Sequence, residues 1–281
     1  MRPIMKKIEE GFFKALMLAC TAAVFVCLAL ILGTIIVKGA GSVNLDMLTK
    51  TPRGGYYLGK GGGVLNAIVG SFMLSIAATA AALAMSLPLV LYINVYSKHS
   101  RLASFVRMSL DILWGVPSIV YGAFGFTVMM LFGMKTSLLG GIAVVSILIL
   151  PIMARGMDAV VALVPDELLD ASYSLGATRF ETAFKVVVRQ ALPGMVSAAL
   201  IAFGRGIGDA ASVIFTAGFS DRIPASLFEP AATLPLAIFY QLGTPFPEVQ
   251  NRAYASAFIL TLLILSVSIT ARILTYKFKK T

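Results

Sequence analysis

An all-α, polytopic integral membrane protein with six transmembrane helices is the fold class this sequence predicts. Of its 281 residues, 58% are apolar and only 13% charged, where an ordinary soluble domain carries about a quarter charged. Mean hydropathy is +0.90. The charges gather at the ends of long uncharged stretches, which is a membrane pattern rather than that of a soluble core.

A helix rising 1.5 Å per residue needs about 20 residues to cross a hydrocarbon core of about 30 Å. Six runs meet this length: 15–37, 64–96, 112–132, 137–158, 195–217 and 253–276. The second is longer than the bilayer requires, so it tilts or extends beyond it. Pro88, Pro117 and Pro151 lie inside spans and predict kinks. The first run follows Arg2, Lys6 and Lys7 as a secretory signal would. Its apolar core exceeds the roughly 7–15 residues of a signal, and five more spans follow, so it reads as an uncleaved helix. No internal repeat and no appended soluble domain is visible, and 1–281 reads as one transmembrane domain.

Orientation follows from the basic residues. With both termini cytoplasmic, segments 1–14, 97–111, 155–194 and 272–281 hold fifteen Lys and Arg, against seven in the outer segments. The positive-inside rule selects that topology. The formal net charge of +10 is spread over span ends and forms no basic patch with interleaved aromatics, which excludes nucleic acid as a partner. Cys20 and Cys27 sit seven apart in one apolar run and read as small hydrophobes. His99 is the only histidine, so no protein-ligated transition metal is expected.

Three connections are longer than turns. The outer 38–63 is glycine-rich, and the outer 218–252 is proline-rich, with a short helix expected around Thr233-Leu234-Pro235-Leu236. The inner 159–194 differs in kind. Pro165-Asp166-Glu167 opens a helix, because proline suits the first turn and acids complement the positive end of the dipole. The helix continues through Leu168, Leu169, Asp170, Ala171, Ser172 and Leu175 and stops at Gly176, a left-handed cap. After Ala177 a second amphipathic helix runs from about Thr178 and Arg179 to 190, then through Leu192-Pro193 to the next span. The plain alternative is an amphipathic loop lying on the membrane surface.

Asp170-Ala171-Ser172-x3-Gly176, followed by Val186-Val187-Val188, resembles the EAA loop of ABC importer permeases, Glu-Ala-Ala-x3-Gly-x9-Ile-x-Leu-Pro. Asp170, Ser172 and Arg189 depart from it at the positions of Glu, the second Ala and Pro. Gly115-Val116-Pro117-Ser118-Ile119-Val120-Tyr121-Gly122 is similar to a segment of phosphate importer permeases. So are the corner Ser174-Leu175-Gly176-Ala177-Thr178-Arg179 and the stretch Gly204-Arg205-Gly206-Ile207-Gly208-Asp209, where Asp209 replaces Glu. Of the two paralogous subunits of that family, the run Gly61–Gly70 and the short N-terminus look like the A-type rather than the C-type.

The resemblance implies a type I ABC importer permease of the bacterial inner membrane that forms half of a pathway for inorganic phosphate. It implies a homologous C-type permease partner, two copies of a cytoplasmic ATPase and an extracytoplasmic phosphate-binding protein. The chain then binds no cofactor and is no enzyme, since ATP and Mg²⁺ belong to the ATPase. Residues 166–172 and 175–179 are the implied ATPase-coupling surface. A C-type paralogue and another small oxyanion are the alternatives within the family. An ATPase-independent channel or secondary transporter is the rival from another class, and it leaves the helix–glycine–helix loop without a purpose.

Gly54-Gly55-Tyr56-Tyr57-Leu58-Gly59-Lys60-Gly61 nearly spells a phosphate-binding loop. It lacks the final hydroxyl and a preceding strand, so it reads as an outer loop. Arg205 and Asp209 are one turn apart in an apolar span, where each charge costs about 2.5–3.5 kcal/mol to insert. They form either a structural ion pair or a substrate pathway in which Arg205 attracts an anion and Asp209 sets its availability. Gly204 and Gly208 offer a site for close helix approach. Arg107 and Asp111 repeat the four-residue spacing and read as a surface pair of little weight.

Overall fold

A computed structural model describes residues 2–53 and 61–278; residues 54–60 of the phosphate-loop-like run lie outside the described residues. The helices are α1 (Arg2–Gly39), α2 (Leu45–Thr49), α3 (Leu65–Leu91), α4 (Arg101–Gly115), α5 (Ser118–Leu131) and α6 (Leu138–Val161). They continue with α7 (Asp166–Ser174), α8 (Arg179–Glu181), α9 (Val188–Ile207), α10 (Leu234–Leu242) and α11 (Pro247–Phe278). A π-helical turn, Tyr92–Tyr96, extends α3, and a second, Thr182–Val187, joins α8 to α9. Among the described residues five helices are long and apolar enough to cross a membrane, or six if α4 and α5 count as one span.

Lipid tails are as apolar as leucine, so spans associate through close packing rather than hydrophobic drive, and small residues permit it. Ala67, Ser71, Ser75, Ala78, Ala82 and Ser86 recur at three- and four-residue spacing along α3, and all are buried. This face meets α6 and α9, and the three helices form the core with Val145, Ile149, Met153, Met157, Met195 and Ala202. A second cluster at the opposite end from α7 joins Met47, Val64, Ala67, Leu234, Ala237 and Ile259. There α10, the helix expected near 233–236, packs on α11 and α3, and the Leu234 N–H donates to Ser71 Oγ at 2.8 Å. Helix α1 packs against α11, and none of the most apolar part of α1 is buried.

The structure corrects three of the expected spans. The third is no straight helix: α4 and α5 meet at 99°. Pro117 has no N–H and disfavours the helical conformation of the residue before it, and Val116 is extended (φ −73°, ψ 128°). The Leu113 carbonyl, which would meet the missing Pro117 N–H, accepts instead from the Val116 N–H at 3.2 Å and from the Tyr121 hydroxyl at 2.8 Å. The fifth span does not begin afresh at Met195, because α8, its π-helical turn and α9 run continuously through Pro193 to Ile207. Nor does it reach Ala217 as helix, since 208–217 proceeds as successive turns. Irregular backbone survives at membrane depth only inside protein. Here Val213, Thr216 and Ala217 are buried, and Thr216 and Ala217 accept from the Ser137 and Ala231 N–H groups at 2.9 Å each. The sixth span starts earlier than expected, at Pro247.

The close packing of α3 is testable at Gly70, where a Cβ would lie 2.1 Å from the Ala232 carbonyl oxygen. Overpacking against backbone costs about 1–3 kcal/mol. Gly70→Ala is expected to lower the thermal unfolding midpoint of the detergent-solubilised chain. Gly33→Ala, where a Cβ meets nothing within 4 Å, should not lower it.

Candidate functional site

Two regions gather the expected site residues. The first is the corner after α6. Pro165 precedes α7 in an extended conformation, and Asp166 and Glu167 occupy the first turn. At the far end Gly176 has φ +83°. Its N–H donates to the Tyr173 carbonyl at 2.9 Å, and the Ala177 N–H to the Ser172 carbonyl at 3.2 Å. That pair of bonds is the Schellman closure, which requires a left-handed residue where glycine stands. Thr178 and Glu181 then form a capping box that starts α8, with Glu181 also bound to Lys185 at 3.0 Å.

The corner therefore has an outward and an inward face. Glu167, Leu168, Asp170, Ala171, Leu175, Gly176, Thr178 and Arg179 are exposed, Leu175 at 89%. Phe180 and Phe184 extend this surface, exposed, with ring centroids 4.7 Å apart. Leu169 packs on the core, while Ser172 and Ala177 are half-buried. Asp166 is exposed but already paired with Lys98, at 2.5 Å.

The second region is the ion pair. Arg205 lies in the last turn of α9, and its Nη1 donates to Asp209 Oδ1 at 2.6 Å. Asp209 stands just beyond the helix end rather than within it, and its Oδ2 accepts from the Ser212 N–H at 2.8 Å. The carboxylate is buried and fixed on both oxygens, while the Arg205 side chain is 42% exposed. Beside it Gly206 packs on Val145 and Ile149, near the middle of α6, which places the pair about halfway along the bundle. Of the two glycines expected to permit close helix approach, Gly208 lies against Ile264 of α11 and Gly204 does not meet another helix of this chain. Gly204 faces open space, and Gly206 is the glycine in contact with α6.

A third cluster escaped the sequence reading. Arg107 does not pair with Asp111. It forks onto Asp158 of α6, Nε to Oδ2 at 2.9 Å and Nη2 to Oδ1 at 3.0 Å. Asn94 Nδ2 donates to the same carboxylate at 2.8 Å and Arg155 Nη1 at 3.1 Å, while Arg155 Nε reaches Asp111 at 2.7 Å. The physical reason is burial. Asp158 is only 4% exposed, and a buried carboxylate needs charged donors more than exposed Asp111 does. Two basic and two acidic residues near the same end of adjacent helices were the available signal, but the four-residue spacing pointed to the wrong pairing.

A bundle of membrane-spanning helices, one bent sharply and one ending in irregular backbone inside protein, with an ion pair at mid-depth and a helix–glycine–helix corner projecting at one end, is the membrane subunit of a transporter. The chain belongs to the family described as the binding-protein-dependent transport system inner membrane component, whose model matches residues 86–280. It is 31% identical to the phosphate transport system permease protein PstA of Haemophilus influenzae, over 86% of this chain and 85% of that one. It is 33% identical to the PstA of Xylella fastidiosa strain Temecula1, over 96% and 97%. It is 27% identical to the probable ABC transporter permease protein YqgI of Bacillus subtilis, over 96% and 95%. The inward-facing MetNI methionine ABC transporter contains a chain of the same fold, with TM-score 0.64 at 20% identity, covering 76% of this chain and 95% of that one.

The Asp158 cluster gives a stability prediction. Removing one partner of a buried pair costs about 3–5 kcal/mol, because the other charge is stranded. With Arg107 and Arg155 partly exposed, Asp158→Leu is expected toward the low end of that range. Asp111→Ala, at a half-exposed carboxylate, is expected to cost under about 1 kcal/mol. Thermal unfolding of the two variants measures the difference.

Proposed function

We propose that this chain is one membrane half of an ATP-driven importer of inorganic phosphate. It resides in the bacterial inner membrane with both termini cytoplasmic. The observation that carries the coupling role is the outward face of the corner. Leucine and phenylalanine side chains stand exposed on a helix whose angle is fixed by a glycine turn and two caps, a surface built to fit a groove in another protein. A cytoplasmic ATPase, in two copies, is that partner, and ATP and Mg²⁺ bind there. A homologous C-type permease completes the pathway, and its approach suits the open face of α9 at Gly204. A phosphate-binding protein delivers substrate from outside.

Phosphate as cargo is supported by the names of the curated relatives and by Arg205. Its guanidinium is permanently charged and forked to match oxyanion geometry. Asp209 occupies one of its donors, and among the described residues the others have no protein partner. A cation tethered at mid-depth by a buried carboxylate attracts an anion without holding it too strongly to release. ATPase closure acting on α7 drives the alternation between inward and outward states by favouring one of them.

Phosphate uptake by the complex reconstituted in vesicles tests the pathway. Arg205→Gln should reduce uptake at least tenfold, and Arg205→Lys should retain part of it. Full transport by the double variant Arg205→Gln with Asp209→Asn would reduce the pair to helix packing. Gly176→Val has room for its side chain but costs about 1–2 kcal/mol in the left-handed conformation. It is expected to uncouple ATP hydrolysis from uptake or to abolish both. Orientation is tested on a background lacking Cys20 and Cys27. Asp221→Cys should react with an impermeant thiol reagent in intact spheroplasts, and Leu175→Cys only after permeabilisation. The opposite pattern would put the corner out of reach of ATP.

A further inference from the structure

Among the described residues helix α7 makes two side-chain polar contacts beyond its own corner, one in the connection that follows a π-helical turn and one within a second π-helical turn. Asp166, at its start, pairs with Lys98, two residues beyond the turn Tyr92–Tyr96. Ser172, near its end, shares a hydrogen bond of 2.9 Å with the hydroxyl of Thr182, the first residue of the turn Thr182–Val187. Thr182 is fully buried, and α7 packs directly on that turn. Ser172 stands where the loop pattern has alanine, so the hydroxyl bridge is a property of this chain rather than of the pattern.

A π-helical turn inserts one residue into an α-helix and replaces four-residue bonds with five-residue ones. Ser97 N–H bonds to the Tyr92 carbonyl in the first turn and Val188 N–H to the Ala183 carbonyl in the second. Beside the first turn Asn94 Nδ2 donates to the Val90 carbonyl at 2.9 Å. Such turns yield sooner than the regular helix on either side. A push on α7 is thus delivered through Ser172 to the π-helical turn that leads into α9.

We propose that the Ser172–Thr182 hydroxyl bridge is the positioning contact that transmits displacement of α7 to α9, with Thr182–Val187 as the yielding turn. The inference rests on α7 being the surface an ATPase moves. Thr182→Val keeps the side-chain volume and removes the hydroxyl. In the assembled complex its ATPase rate should stay within about twofold of wild type. Phosphate taken up per ATP should fall about threefold to tenfold, the range one hydrogen bond supplies. Thr182→Ser should hold the wild-type ratio. An unchanged ratio in Thr182→Val, or an equal fall in Thr182→Ser, overturns the proposal. Hydrogen exchange on the full chain in detergent tests the same contact without transport. Thr182→Val should speed exchange across α7 about threefold or more and leave α6 unchanged, and unaltered exchange in α7 would sink the idea. If the wild-type complex moved no phosphate, the transport reading would fail while the exchange experiment still decided this one.

Discussion

Hydrocarbon cannot hydrogen-bond a peptide group, and each architectural choice in this chain answers to that constraint. Long continuous helices satisfy their own backbone, and they form wherever the chain faces lipid. Helix fails in two places, Val116-Pro117 and 208–217; the second is largely buried among other elements, while the first lies on the exposed side of the bundle. The Tyr121 hydroxyl reaches the Leu113 carbonyl, and the 208–217 stretch is bonded to the start of α6 and to the residues ahead of α10. Such interruptions cost packing area elsewhere, and what they provide is local geometry. The bend at Pro117 turns α4 across the end of the bundle, where Arg107 meets Asp158. The end of α9 frees Asp209 to leave the helical path and turn its carboxylate back onto Arg205.

The two regions of functional interest are joined by one helical body. From Arg179 at the corner to Arg205 at mid-depth the chain does not break, a length of about 39 Å at 1.5 Å per residue. A displacement at the corner therefore reaches the ion pair along a single rod with one compliant turn. The Asp158 cluster ties α3, α4 and α6 together beside the corner, so the rod moves against a braced wall. Coupling between sites requires a physical element that both bias, and this rod is the one the fold provides.

Much of this was legible from composition and spacing, because hydrophobic length and turn chemistry are local properties. The apolar runs, the corner helix, the left-handed Gly176 and the contact between Arg205 and Asp209 depend on residues within a few positions of one another, whereas the ends of three spans do not. What escaped depends on distant partners. Asp158 attracts Arg107 only because α4 folds across α6, and no spacing within either helix encodes that. Pro193 and Pro117 have the same chemistry. One is absorbed in a continuous helix and the other ends one at 99°. The two π-helical turns leave no periodic mark, since a one-residue insertion lies within the scatter of an apolar pattern. Of the glycines expected to admit a helix, Gly208 meets α11 but Gly204 is open and Gly206 meets α6 instead, because which side of α9 meets α6 is set by the whole bundle.

Helix α1 rests on α11, with Gly39 against the Tyr254 carbonyl and Lys38 over the Tyr254 ring at 4.8 Å. Translation separates these two helices by almost the whole chain, since the ribosome delivers the N-terminal one first. Until α11 enters the bilayer, α1 has no seat. Its uncharged run 15–37 lets it wait in lipid at little cost, for there it exchanges one apolar environment for another. The seam between α1 and α11 is therefore closed late in biogenesis, and a ribosome stalled before Tyr254 would leave an inserted bundle with an unlatched first helix.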